Sequence, residues 1–206
     1  MAPPAYLFVL GHSLDLEKMA VYSAALPPIY EKYGGVYLGM GGPGRGVEQL
    51  DGAWFDHSFV LARFDAAEDV SKFWFSPEYE EAKKLRKDAG TFNVFVLPGN
   101  ENESPSGEPA FLISVYRTVD IDAYAPLAEA EAKKFANRDI PYLVRAAYDD
   151  TERLEGDLID HDFTVAVFPT QASATAMWND PGYHELRQTR SQIGSFNTFL
   201  MRGLRR

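Results

Sequence analysis

The chain has no cysteine, which excludes disulfides, thiolate nucleophiles and thiolate metal sites and fits a reducing compartment. It is also short of positive charge: 20 Lys and Arg against 30 Asp and Glu give a formal charge of −10. Such a surface repels phosphate backbones and anionic lipid, so neither nucleic acid nor a membrane is an expected partner. No apolar run approaches the ~18 residues that span a bilayer. The opening MAPPAYLFVLGHS lacks a basic leader and reads as a first strand, which predicts a soluble, cytoplasmic protein. Histidine is scarce, at four residues. Apolar bulk is not: 46% of the residues are hydrophobic and 14% aromatic, ample for a packed core in 206 residues.

The chain also repeats itself. Leu50 to Gly99 align without a gap on Leu154 to Gly203, 104 positions later. Identities include Asp56/Asp160, His57/His161, Phe59/Phe163, Trp74/Trp178, Tyr79/Tyr183, Arg86/Arg190 and Asn93/Asn197. Upstream the match resumes at an offset of 105, with Ala5/Ala110, Asp15/Asp120 and Tyr37/Tyr142. Two copies are too few for a solenoid and point to a duplicated unit, a fused internal pseudo-dimer. The copies span 1–98 and 110–206. Between them, 99–109 is rich in Gly, Asn, Glu, Ser and Pro and reads as an exposed linker.

Each copy reads β-α-β-β-α-β. AYLFVLGH, VYLGM, HSFVLARF and FNVFVLP carry strand patterns in the first copy, with LEKMAVYSAALPPIYEKYG and AAEDVSKFW-SPEYEEAKKLRKDA as helices. Pro27-Pro28 interrupts the first helix. Ser76-Pro77 breaks the second, with Ser76 as cap and Pro77 in the first turn, and Asp180-Pro181 repeats the device. The strands are apolar on both faces, so the face away from the helices needs a cover. The other copy's sheet supplies it. This predicts an α+β protein of two units packed sheet to sheet, as a pseudo-symmetric barrel with helices outside.

PPIYEKYGGVYL and FDAAEDVSKFWFSPEYEEAKKLR resemble family 1330 of the domains of unknown function, within the dimeric α+β barrel superfamily. The second copy resembles it through FPTQASATAMWNDPGYHELRQTR, although KFANRDIPYLVR has lost the Tyr-Gly-Gly. The resemblance implies ferredoxin-like units that pair as in the single-copy members. It supplies an architecture and no reaction, since superfamily relatives include cofactor-free monooxygenases, lactone isomerases, polyketide cyclases and haem enzymes.

Candidate chemistry centres on His57 and His161, which recur in register and can exchange protons near neutrality. In a ferredoxin-like order the first and third strands are neighbours, which places His12 near His57 and Arg117 near His161. These four are the expected catalytic residues, with His12 or Arg117 stabilising negative charge on an oxygen. Asp56, on a strand with His57, would point to the opposite side. Trp74, Tyr79, Trp178 and Tyr183 surround the helix breaks; they are candidate substrate contacts, though aromatics at such positions mostly form core. Asn93 and Asn197 open the last strands and either satisfy backbone or enter a cavity. Arg86 and Arg190 suit salt bridges.

Tyr116 and Arg117 stand where the first copy has Gly11 and His12, an asymmetry that suggests one working pocket of two. The glycine-rich 39–46 lacks a phosphate-loop ending and reads as a flexible connection. No His-x-His or carboxylate spacing indicates a metal, and His184, the one helical histidine, has Glu80 as its counterpart, which disfavours haem. The expectation is a cofactor-free enzyme for a small aromatic, ketone or lactone, performing isomerisation, cyclisation or oxygen insertion. The alternative is a non-catalytic binding or structural protein. Its partner is a small-molecule ligand, and a further homodimer is left open.

Overall fold

The computed structural model describes residues 2–100 and 107–205. Residues 101–106, most of the expected linker, lie outside the described residues. In the first half the order is β1 (Ala5–Ser13), α1 (Leu16–Ala25), α2 (Pro27–Lys32), β2 (Val36–Pro43), β3 (Gly46–Asp51), β4 (Ser58–Phe64), α3 (Ala67–Trp74), α4 (Pro77–Leu85) and β5 (Gly90–Pro98). The second half follows with β6 (Ala110–Thr118), α5 (Ile121–Ala136), β7 (Tyr142–Ala146), β8 (Glu152–Glu155), β9 (Asp162–Phe168), α6 (Gln171–Trp178), α7 (Pro181–Arg190) and β10 (Gly194–Arg202). Among the described residues no helix is long and apolar enough to cross a membrane.

The helix breaks fall where local chemistry puts them. Ser76 Oγ accepts from Tyr79 N at 3.2 Å and Pro77 occupies the first turn of α4. Asp180 Oδ1 accepts from Tyr183 N at 2.9 Å before Pro181. Pro27 starts α2 directly after the α1 cap at Leu26. In the second half Ala132 replaces that proline, and α5 runs unbroken although Pro126 stands inside it.

The strands form one curled ten-stranded sheet in the order β7-β9-β6-β10-β3-β2-β4-β1-β5-β8. The first half contributes β2-β4-β1-β5, and the second repeats the pattern as β7-β9-β6-β10. Strands β3 and β8 correct the sequence reading, which gave each copy four strands and left 39–46 as a loose connection. Instead β2 extends to Pro43, and β3 crosses to pair with β10 of the other half. Reciprocally, β8 pairs with β5. Strand β8 pairs only across the duplication and β3 mainly so, with a short parallel contact to β2, so local pattern gave little register for them.

Alternation along each strand separates two environments. On β1, Tyr6, Phe8 and Leu10 enter a cluster inside the curl, while Ala5 and Leu7 pack under the first-half helices. The inner cluster draws on both halves: Phe59 meets Phe199 with ring centroids 4.2 Å apart, and Phe163 meets Phe95 at 4.8 Å and Phe8 at 5.8 Å. The face that the sequence left needing cover is therefore covered by its twin. Phe8, Phe59, Phe95, Phe163 and Phe199 are all within 1% of complete burial.

Two reciprocal clasps tie the halves. Asn197 Oδ1 accepts from Ala53 N at 2.9 Å, and Asn93 Oδ1 accepts from Asp157 N at 2.9 Å and Leu158 N at 2.8 Å. Each clasp closes on a glycine with φ near +95°, Gly52 and Gly156. A Cβ there would stand 2.2 Å from the asparagine oxygen, so the approach requires glycine twice over. Asn197→Ala leaves a backbone N–H without its acceptor, and a loss of about 1–3 kcal/mol is expected. Urea unfolding with an unchanged m-value would report it.

Candidate functional site

Residues 54–57 do not belong to a strand. The expected strand from His57 starts at Ser58, and the preceding residues turn, with His57 N donating to Trp54 O at 3.4 Å. This overturns the expectation that Asp56 faces away from His57. Freed from the pleat, Asp56 lies between two imidazoles: Oδ2 is 2.7 Å from His12 Nδ1, and Oδ1 is 2.9 Å from His57 Nδ1. The second contact is close but out of line, so buried His57 Nδ1 makes no aligned hydrogen bond. Burial holds the His57 imidazole below its ordinary pKa, against the pull of Asp56. Desolvation works to raise the Asp56 carboxyl, but its own backbone N–H and the two imidazoles outweigh it and leave the pKa below the ordinary value.

The two Asp-His motifs meet at Trp54, whose ring centroid lies 5.7 Å from His57 and 5.8 Å from His161. Trp54 also stacks on Phe199 and packs against the inner cluster. The second motif is built differently. His161 Nδ1 is 2.6 Å from Ile159 O, Asp160 adopts φ +56°, and Arg117 approaches Asp160 at 3.6 Å. The four expected catalytic residues thus gather as His12 with His57, and Arg117 beside the second motif. His12 shares the parity of Leu10 on β1, and His57 lies beside Trp54, which packs on the inner cluster, so both sit at the end of the inside face.

A cavity of about 290 Å³ lies on the other side of the sheet, between β1, β4 and β5 and the helices of the first half. Gly11, Met40 and Tyr30 line its apolar part, and Tyr22, Tyr79 and Arg86 form a polar end. Tyr22 and Tyr79 share a hydroxyl–hydroxyl hydrogen bond of 2.8 Å. Burial raises the pKa of both phenols, against the opposing pull of Arg86, so both stay protonated; one proton is spent in their mutual bond and the other is free to donate. Arg86 packs over Tyr22 and Phe92 and is held by both oxygens of Glu155, with Nη1 to Oε1 at 2.8 Å. Burial works against its charge, and Glu155 with the phenols more than restores it. Glu155 belongs to β8, so the second half holds in place the arginine that lines the first-half cavity.

At the matching place in the second half, Tyr116 fills the space that Gly11 leaves open. Gly11 is opposite Phe92 across β1 and β5, as Tyr116 is opposite Phe196 across β6 and β10. Tyr116 stacks on Phe196 at 5.1 Å and 10° and reaches Tyr124 at 5.3 Å. Arg190 turns to Glu131 on α5, at 2.6 Å, where the first half has Leu26.

Of the expected substrate contacts, Tyr79 lines the cavity and Trp74 packs behind it, 5.0 Å away, with Lys83 over its ring. Tyr183 is buried in the second-half core with Trp178 beside it under Arg187. Asn93 and Asn197 form the clasps and line no part of the cavity. Sequence reasoning missed Tyr22, Trp54 and Glu155. The Leu50-Asp51-Gly52 and Leu154-Glu155-Gly156 match was the available signal for Glu155.

The model of a domain of unknown function, DUF1330, matches this chain twice, over residues 4–100 and 109–204. The chain belongs to the DUF1330 family. The two matches agree with a tandem duplication of the DUF1330 domain. A comparison with curated proteins gives no match. Among solved structures, it is similar to a candidate monooxygenase from Fusobacterium nucleatum subsp. nucleatum ATCC 25586, with TM-score 0.58 and 11% identity over 99% of this chain and 94% of that one. An anthrone oxidase-like protein gives TM-score 0.54 and 10% identity over 98% and 92%. A candidate monooxygenase from Lactobacillus acidophilus NCFM gives 0.51 and 13% over 97% and 94%. At such identities the likeness is one of fold, and it places this DUF1330 chain in a mixed α+β architecture with a curled sheet.

Proposed function

We propose that the chain is a cofactor-independent α+β barrel protein of two ferredoxin-like halves that takes a small oxygen-bearing aromatic or ketone in its first half. The cavity carries this reading: an apolar slot whose polar end presents two protonated phenols beside a neutralised guanidinium. Its 290 Å³ sits at the lower edge of the ~300–1,000 Å³ common for small-molecule sites. A substrate oxygen directed at the Tyr22–Tyr79 pair would receive a hydrogen bond from the phenol whose proton is free, itself polarised by the other. This bond strengthens as the oxygen gains negative charge, the requirement of an enolate or phenolate intermediate. The fold-level relatives described as candidate monooxygenases and as anthrone oxidase-like fit substrates of that kind.

A second reading, binding without turnover, is favoured by one observation: among the described residues no imidazole or carboxylate lines the cavity. The acid–base role expected of His57 and His161, with His12 and Arg117, is a separate proposal for the inner end of the barrel. Two probes divide these readings. 2-Naphthol should bind the cavity, and Tyr22→Phe should weaken it about 3–10-fold, the worth of one hydrogen bond. Deuterium exchange at the acidic carbon of anthrone should accelerate if the site stabilises the enolate. Binding without acceleration selects the second reading, and no naphthol binding rejects both.

A further inference from the structure

We propose that His12, Asp56 and His57 bind one divalent transition-metal ion of the zinc class, at the end of the sheet's inside face. Two imidazoles and one carboxylate are ligands that such borderline ions favour, and three protein donors leave further positions for water. The donor atoms all lie within 4.8 Å of one another. Donors sharing a tetrahedral ion at ~2.0–2.2 Å stand roughly 3.3–3.6 Å apart, so rotations of side chains at an exposed rim suffice. Both histidines turn the same nitrogen, Nδ1, toward the two oxygens of one carboxylate. His57 Nδ1 is fully buried yet makes no aligned hydrogen bond, a nitrogen aimed at the centre of the cluster without a fitting partner. Trp54, 5.7 Å from the His57 ring, restricts its orientation from the other side.

The second half supplies an internal comparison. There Arg117 replaces His12 and brings a fixed cation to Asp160 at 3.6 Å. His161 turns its Nδ1 to the Ile159 carbonyl instead. Every donor of the first cluster thus has a counterpart that has left the arrangement. A guanidinium neutralises the aspartate in one half, and a metal ion would do so in the other. The proposal is independent of the cavity, which lies across the sheet.

The test uses the full chain, stripped with a chelator and titrated with zinc against a chromophoric competitor, then with cobalt(II) for its visible absorption. One equivalent per chain is expected, with Kd of ~1 μM or tighter. His12→Arg copies the residue that the second half already accommodates, and should weaken zinc roughly 100-fold or more. Asp56→Asn should weaken it at least ~10-fold, and His161→Ala should leave it unchanged. Retained binding of 2-naphthol or an unchanged urea midpoint shows that the variants are folded. The proposal is overturned if wild type shows no saturable site, if His12→Arg binds as wild type does, or if His161→Ala loses as much as His12→Arg.

Discussion

Gly11→Tyr is expected to abolish binding of 2-naphthol, by ~100-fold or more, while leaving the protein folded. The second half has already performed this substitution: Tyr116 occupies the position of Gly11 and stacks on Phe196, the counterpart of Phe92. A Cβ on Gly11 would stand 2.7 Å from Phe92 Cδ1, so Phe92 must turn, as Phe196 has, to stack on the new ring. The aromatic pair is worth about 0.5–1.5 kcal/mol and offsets the crowding. Stability should therefore shift little. A variant that stays folded and binds naphthol as well as wild type would remove the cavity as the ligand site.

Glu131→Ala should produce the largest loss of stability, about 3–5 kcal/mol. Arg190 is 3% exposed, and its Nη1 lies 2.6 Å from Glu131 Oε2, while Tyr142 donates to Glu131 Oε1 at 2.9 Å. Removing the carboxylate strands a buried guanidinium, whose Nη2 retains a long contact to Thr198 at 3.4 Å. In a chain of this size the melting temperature should fall by roughly 10 °C or more. Adding Arg190→Met should restore much of the loss, because the cost lies in the unpaired charge and not in the missing pair. A fall below about 1 kcal/mol in the single variant would mean that Arg190 reaches water.

These two expectations rest on residues that differ in how far the sequence disclosed them. The repeat aligned Arg86 with Arg190 and Gly11 with Tyr116, and the loss of symmetry at Gly11 suggested one working pocket of two without saying which. Helix breaks at Ser76-Pro77 and Asp180-Pro181 were legible because cap and proline act within one turn. The proximity of His12 to His57 followed from strand order, and their rings lie 5.9 Å apart. What stayed hidden depends on pairing across the duplication. Strands β3 and β8 are short and take most of their register from the opposite half, β3 meeting β2 at only two positions. Asn93 and Asn197 find backbone partners 64 and 144 positions away. The sequence expectation for Asp56 fails because strand alternation holds only within a strand, and residues 54–57 turn before β4 begins at Ser58. Neither His12 nor His57 lines the cavity, which lies across the sheet from them.

The asymmetry between the halves is tested most directly by the stoichiometry of 2-naphthol in a calorimetric titration of the wild-type chain. One equivalent per chain is predicted, since Tyr116, Tyr124 and Phe196 fill the second-half space. Two equivalents of comparable affinity would contradict it.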